Sequence, residues 1–172
     1  MLIEFISAGI ILSSTFTDTS LLTATEHIYE TRWEDSTIET VPVYGRNFTH
    51  LTEEEFDALC LLVAAEAENI SGDAQTRFLA KEAVAEVVLN RIESDKHPDN
   101  IYDVMNYPNA FAVMTNGRYG KIVPSEETVD ACYAALSSVN YDKNMCYFNS
   151  IDYFNWADDY MQYSNLYFST EP

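Results

Sequence analysis

At Thr52 the run Thr52-Glu53-Glu54-Glu55 sets an N-cap hydroxyl three residues ahead of a glutamate, directly before an apolar stretch of helical period. A helix must start there. The spacing predicts that it runs to about Glu68, with Phe56, Leu59, Cys60 and Val63 on one apolar stripe. One residue breaks the stripe. At about 100 degrees per residue, Glu66 projects within about 20 degrees of Leu59, whereas Glu68 points to the opposite side. A carboxylate aimed at a core must be ion-paired, solvated in a cleft, or protonated, and burial raises its pKa toward the range of a general acid. Two readings of Glu66 follow: a structural acid paired with Arg77 or Arg91, or a proton donor facing a cleft.

The elements after this helix can be read in order. A second helix spans about Asp73 to Ile92, with Leu79, Ala83, Val84, Val87 and Val88 facing inward. His97-Pro98-Asp99-Asn100 reads as a turn, followed by a short helical piece carrying Ile101, Val104 and Met105. Residues 107–123, with Pro108, Gly117 and Gly120, read as a loop or hairpin. Ser125, followed by Glu126 and Glu127, is an N-cap with two acids at the positive end of a helix dipole, so a third helix should reach about Leu136. From Tyr141 onward the chain is dense in aromatic residues, and residues 145–149 and 165–169 look like strands. The expected fold is α+β, helices first and a short β-sheet after, in one domain over residues 51–172.

Residues 1–50 read as a leader or extended arm, with a possible strand over 37–44 and a glycosylation sequon at Asn47-Phe48-Thr49. The apolar start has no basic residue before it and is too short to span a membrane, so it is a weak secretory signal. An arm of this kind suits attachment to a larger assembly.

Charge excludes one class of partner. With 28 acidic residues against 9 basic ones the net charge is -19, which repels nucleic-acid phosphates and anionic membranes. Cys60, Cys132 and Cys146 stand far apart with no CxxC pair, so neither a metal nor a cofactor is expected. Cys60 and Cys132 fall on apolar helix faces and read as buried thiols. His27, His50 and His97 lie near segment ends and read as surface residues.

Several short motifs are similar to a known series. These are Ala65-Glu66-Ala67, Ala83-Val84-Ala85-Glu86-Val87-Val88-Leu89-Asn90-Arg91, His97-Pro98-Asp99-Asn100-Ile101 and Asn109-Ala110-Phe111, followed by the Pro124-Ser125 helix start and Cys146-Tyr147-Phe148-Asn149. In order and spacing they resemble the germination-type cell-wall hydrolases, the SleB/CwlJ family, over about residues 55–169. The resemblance implies a small lysozyme-like fold flanking a glycan cleft. It implies Glu66 as the single catalytic acid, acting on peptidoglycan between MurNAc and GlcNAc as a lytic transglycosylase, without a second carboxylate. Asp73, Glu82 and Asp103 are explained as a cap, a solvated helix face and a short-helix residue.

For substrate contact the candidates are Phe111, Tyr119, Tyr147, Phe148, Asn149 and Trp156, flat rings and an amide suited to sugars. For each ring, packing in the core or exposure on a turn is the competing reading. Asn90 and Arg91 either support the cleft or serve as a helix-end cap and a structural ion pair. Three departures bear on substrate preference: a longer link after Ala67, His97 in place of the family's Phe, and Leu166-Tyr167-Phe168 where the family has His-x-Phe. Rival readings are a muramidase with a water nucleophile and a non-catalytic glycan-binding or virion module. Action at the cell wall follows from any of them, and a bacteriophage origin would account for the weak signal.

Overall fold

The computed structural model describes residues 40–42, 46, 50–138 and 141–171. The apolar start, most of the arm with its attachment role, the sequon and His27 lie outside the described residues. In chain order the elements are β1 (Thr40–Pro42), β2 (His50–Thr52), α1 (Glu53–Ala67), α2 (Ala74–Glu93), α3 (Ile101–Asn106), α4 (Ala112–Thr115), α5 (Glu126–Ser137), β3 (Met145–Asn149), β4 (Asp158–Tyr163) and β5 (Leu166–Thr170).

Helix α1 begins where the capping box places it. Thr52 Oγ1 accepts from the Glu55 amide at 3.2 Å, and Glu55 Oε2 accepts from the Thr52 amide at 2.9 Å. Its buried surface is much wider than a single stripe. Phe56, Leu59, Leu62, Val63, Ala64, Ala65 and Ala67 are all inside, because α2, α3, α5 and β2 pack around it. Each large side chain so buried contributes about 1.5–3 kcal/mol. Asp73 Oδ1 caps α2 through the Thr76 amide at 2.7 Å, and Ser125 caps α5 through the Thr128 amide at 3.3 Å. On α2 the buried face is centred on Ala80, Val84, Val87 and Val88, with Leu79 only half-buried.

The late segment folds into an antiparallel sheet of order β3-β5-β4. Strand β4 is absent from the sequence reading. Its residues are mostly exposed at the sheet edge, so they carry little alternation of apolar and polar side chains. The β4–β5 hairpin turns through Ser164, at φ 55, and Asn165, with Tyr163 opposite Leu166. This is a two-residue turn without the Asn-Gly or Asp-Gly signal that usually reveals one. Residues 107–123 hold the short helix α4 within turns and form no strand.

The fold also reaches ahead of Leu51. Strand β1 pairs with β2, and Arg46 is buried with its side chain fully covered. Its Nε donates to Ala135 O at 2.9 Å and its Nη1 to Asn90 Oδ1 at 2.8 Å. Glu93 and Glu86 lie 3.7 and 3.9 Å away, and the guanidinium stacks 3.7 Å from the Tyr141 ring centroid. One residue from the expected arm therefore clamps α2, α5 and the segment after α5. Cys60, Cys132 and Cys146 are buried free thiols.

Lys81 is buried as well, with its Nζ 2.9 Å from Glu127 Oε1 and 3.4 Å from Glu68 Oε1. Glu68 Oε2 accepts from Thr128 Oγ1 at 2.6 Å, so the end of α1 is tied to the start of α5 through α2. Glu82 differs from the solvated residue expected of it. It is half-buried on α2, and burial together with the neighbouring Glu86 pushes its carboxyl up to about 7.

Removing one partner of a buried ion cluster leaves the others uncompensated. Arg46→Ala should therefore lower the unfolding free energy by about 3–5 kcal/mol in urea titration. Glu82 generates a pH dependence. Between its ordinary value of 4.5 and about 7 the native state holds a proton that the unfolded chain has lost, so stability falls as pH rises through that window. Glu82→Gln should raise the melting temperature at pH 8 and change it little near pH 4, as read by thermal denaturation.

Candidate active site

The last turn of α1, the α3–α4 loop, the end of β3 and the β4–β5 turn enclose a cleft of about 490 Å³. Glu66 enters it from α1. The neighbouring Leu59, Leu62, Val63, Ala65 and Ala67 are buried, and the side chain that interrupts this apolar surface opens into the cleft. Among the residues lining the cleft, Glu66 is the sole carboxylate. Asn69, Asn109, Asn149, Ser150 and Asn165 add neutral hydrogen-bonding groups, and Phe111, Phe148 and Phe154 add flat apolar ones.

Glu66 makes neither of the ion pairs that a structural role would require. Arg77 pairs with Glu127 at 3.5 Å and donates to Gly72 O, and Arg91 Nε donates to Cys146 O at 2.7 Å. Burial raises the Glu66 carboxyl above the ordinary value, while the Val113 amide and the Arg118 guanidinium pull it partly back. A half-buried acid held toward its protonated form, with one cation at the rim, is what proton donation needs.

The structure divides the other candidates. Phe111, Phe148 and Asn149 join Glu66 in the cleft, with Phe111 itself buried. Tyr147 and Trp156 do not. They line a second pocket of about 260 Å³ that shares Asn109, Ala110, Phe148 and Phe154 with the cleft. Tyr119 is in neither pocket. Its ring packs against the core and its amide donates to Val113 O at 3.2 Å, so it braces α4 rather than offering a free face. Asn90 is fully buried and does not cap its helix. It accepts from Arg46 and donates to Met145 O and Asp142 O at 2.7 and 3.0 Å, which anchors β3, the strand that carries Phe148 and Asn149. Arg91 forms no salt bridge among the described residues, and its guanidinium lies over Phe111 and Tyr147 at 4.9 and 5.6 Å.

Asn69, Asn109, Arg118, Phe154 and Asn165 were not among the candidates. Only Asn109 carried a usable signal. It adopts φ 61, a left-handed conformation that Asn tolerates better than most residues, and it follows a proline. His97 is half-buried rather than on the surface, packed near Tyr107 and Tyr147 with Nε2 3.2 Å from Glu171 Oε1. With Cys146 these two place metal-type donors within 4.8 Å of one another, a grouping that spacing in the sequence concealed. Positive charge is already supplied there, by Lys96 Nζ at 2.9 Å from Glu171 Oε2 and by Arg91. Burial pushes the Cys146 thiol up to about 12.

The profile of the cell wall hydrolase family matches residues 75–169, over half of the chain, and the chain belongs to that family. The matched stretch holds α2, the loops and the sheet that face Glu66, and begins after Glu66 itself. The fold is shared with the catalytic domain of the Bacillus cereus SleB protein at a TM-score of 0.57 and 20% identity, covering 73% of this chain and 94% of that one. It is shared equally with the catalytic domain of a germination-specific lytic transglycosylase, SleB from Bacillus anthracis, at 0.56 and 20%, covering 70% and 97%. Helices followed by a small sheet in this arrangement make the domain lysozyme-like. No curated protein sequence matches the chain. Family and fold together define a cell-wall enzyme acting on peptidoglycan. No described helix is long and apolar enough to cross a membrane.

The raised Glu66 carboxyl carries a stability cost wherever it is ionised. Its native pKa lies above the unfolded one, so its contribution declines as pH rises through that interval. Glu66→Gln should therefore melt no lower than the wild type at pH 7, with a larger advantage at pH 8 than at pH 5. A lower melting temperature at all three values would show that the carboxylate stabilises the fold.

Proposed function

We propose that the protein cleaves peptidoglycan glycan strands between MurNAc and GlcNAc as a lytic transglycosylase, with Glu66 as its catalytic acid and base. The observation that carries this reading is the position of Glu66 as the sole carboxylate lining a cleft, raised in pKa by burial. Protonated Glu66 gives its proton to the glycosidic oxygen as the bond to the anomeric carbon of MurNAc breaks. The resulting carboxylate then takes the proton from the C6 hydroxyl of the same MurNAc as that oxygen attacks the anomeric carbon, forming the 1,6-anhydro ring. One group thus serves both halves of the reaction.

An inverting muramidase needs a second carboxylate to activate water, at about 6.5–9.5 Å from the first. The cleft lining offers none. Asn69, Asn109, Asn149 and Asn165 suit the hydroxyl and acetamido groups of the sugars, and Phe148 suits a sugar face. The name of the Bacillus anthracis relative adds support at the level of fold. A non-catalytic glycan-binding module would have no need of an acid in this environment.

The test is digestion of purified sacculi with mass spectrometry of the released muropeptides. Wild-type protein should release 1,6-anhydro-muramoyl ends, and Glu66→Gln should be slower by a factor on the order of 10² to 10⁴ or more. Reducing muramic ends would establish a hydrolase instead. Absence of release by the wild type, or equal release by the variant, would remove the catalytic assignment.

A further inference from the structure

We propose that the pocket beside the cleft is a carboxylate-binding subsite, in which Arg91 reads an acidic group on the peptidoglycan strand held at Glu66. The inference rests on the proposed reaction for the identity of the strand, and on Arg91 itself for the charge.

Arg91 is only 7% exposed. Its Nε is used by Cys146 O at 2.7 Å and its plane is held near Phe111 and Tyr147. The remaining N–H donors, on the two Nη nitrogens, meet no acceptor among the described residues, and Arg91 lines the pocket. The other largely buried cations are treated differently. Arg46 and Lys81 each sit within 4.0 Å of two carboxylates. The acid that acts on Arg91 is Glu171, which is already engaged by Lys96 at 2.9 Å and His97 at 3.2 Å. In a chain with 28 acidic residues, leaving one buried guanidinium without a carboxylate partner is a costly arrangement. It is explained if the partner arrives with the substrate.

The pocket matches that role in shape. Its volume of about 260 Å³ is roughly half that of the cleft, which suits an acidic side group rather than a second stretch of polymer. Tyr107, Tyr147 and Trp156 wall it with rings, which lower the local dielectric and strengthen a charge-assisted bond. A guanidinium fixed at Nε and flanked by rings presents its Nη edge in the planar geometry that a carboxylate accepts. Because the pocket and the cleft share Phe148 and Phe154, a group entering it branches from a strand lying across Glu66. Muramic acid provides such a branch at its lactyl ether, either as a free lactyl carboxylate or through the carboxylates of its stem peptide.

The experiment measures binding on Glu66→Gln, so that ligands stay intact, by isothermal titration calorimetry. The ligands are soluble MurNAc-GlcNAc oligomers with intact stem peptides and the same oligomers stripped to the lactyl carboxylate, each as acid and as methyl ester. Carboxyl-free GlcNAc oligomers serve as the reference. In one of the two series the acid should bind on the order of tenfold or more tighter than its ester, and that series identifies the carboxylate. Adding Arg91→Gln should bring acid and ester to the same affinity. Equal binding of acid and ester in both series would overturn the proposal, and so would an acid preference that survives Arg91→Gln. The comparison of acid with ester needs no change at Arg91, and it decides the matter even if Arg91→Gln does not fold. Wild-type protein that fails to cut sacculi, alongside an acid preference on Glu66→Gln, would sink the proposed reaction and leave the subsite standing.

Discussion

The burial of α1 on nearly every side is the constraint on which the rest of the molecule depends. Helix α1 keeps only a narrow edge outward, with Glu54 and Asp57 exposed, and the side that carries Glu66 is packed by its neighbours. The carboxylate at Glu66 is accommodated because the α3–α4 loop and the sheet stop short of closing over the last turn. The cleft and the raised pKa are thus two consequences of one packing arrangement. A fully closed core would have required a cationic partner at that place or a permanently protonated acid; Arg77 is paired with Glu127, and Arg91 is held at Nε by Cys146 O and lines the adjoining pocket rather than the cleft.

The scaffold around α1 is held by two buried ion clusters as well as by apolar contact. Basic residues number only nine, and among the described residues Arg46, Lys81 and Arg91 are buried. Arg46 and Lys81 neutralise acids at helix junctions, where α2 meets α5 and where α1 ends beside the start of α5. The chain as a whole carries a net charge of -19. A net charge of that sign gives no long-range attraction to an anionic wall. Affinity has to come from short-range contacts in the cleft and the pocket beside it, where rings, amides and a sheltered guanidinium act at close quarters.

The family resemblance and the structure meet unevenly at the site. The matched stretch covers α2, the loops and the sheet, whereas α1 and its acid lie ahead of it. Two of the departures, His97 and the Leu166-Tyr167-Phe168 strand, fall on the walls rather than at Glu66. His97 shapes the side pocket with Tyr107 and Tyr147, and Leu166 reaches the cleft itself.

The local pattern alone determined the helix starts at Thr52, Asp73 and Ser125, since each cap is a contact between residues three apart and needs no distant partner. It also determined the helices-then-sheet order and the oddity of Glu66, because both are periodicities along a single segment. It did not reveal β4, whose edge position leaves no alternation to read, or the Ser164-Asn165 turn. Arg46 looked like part of a polar arm because its partners Asn90, Glu93 and Ala135 are far away in sequence. Only the tertiary structure separated Phe148 and Asn149, which face Glu66, from Tyr147 and Trp156 in the adjoining pocket and from Tyr119 against the core. Flat rings have the same sequence signature in all three places. What distinguishes them is which surface the packed helices leave uncovered, and that is decided by contacts between segments rather than by any segment's own composition.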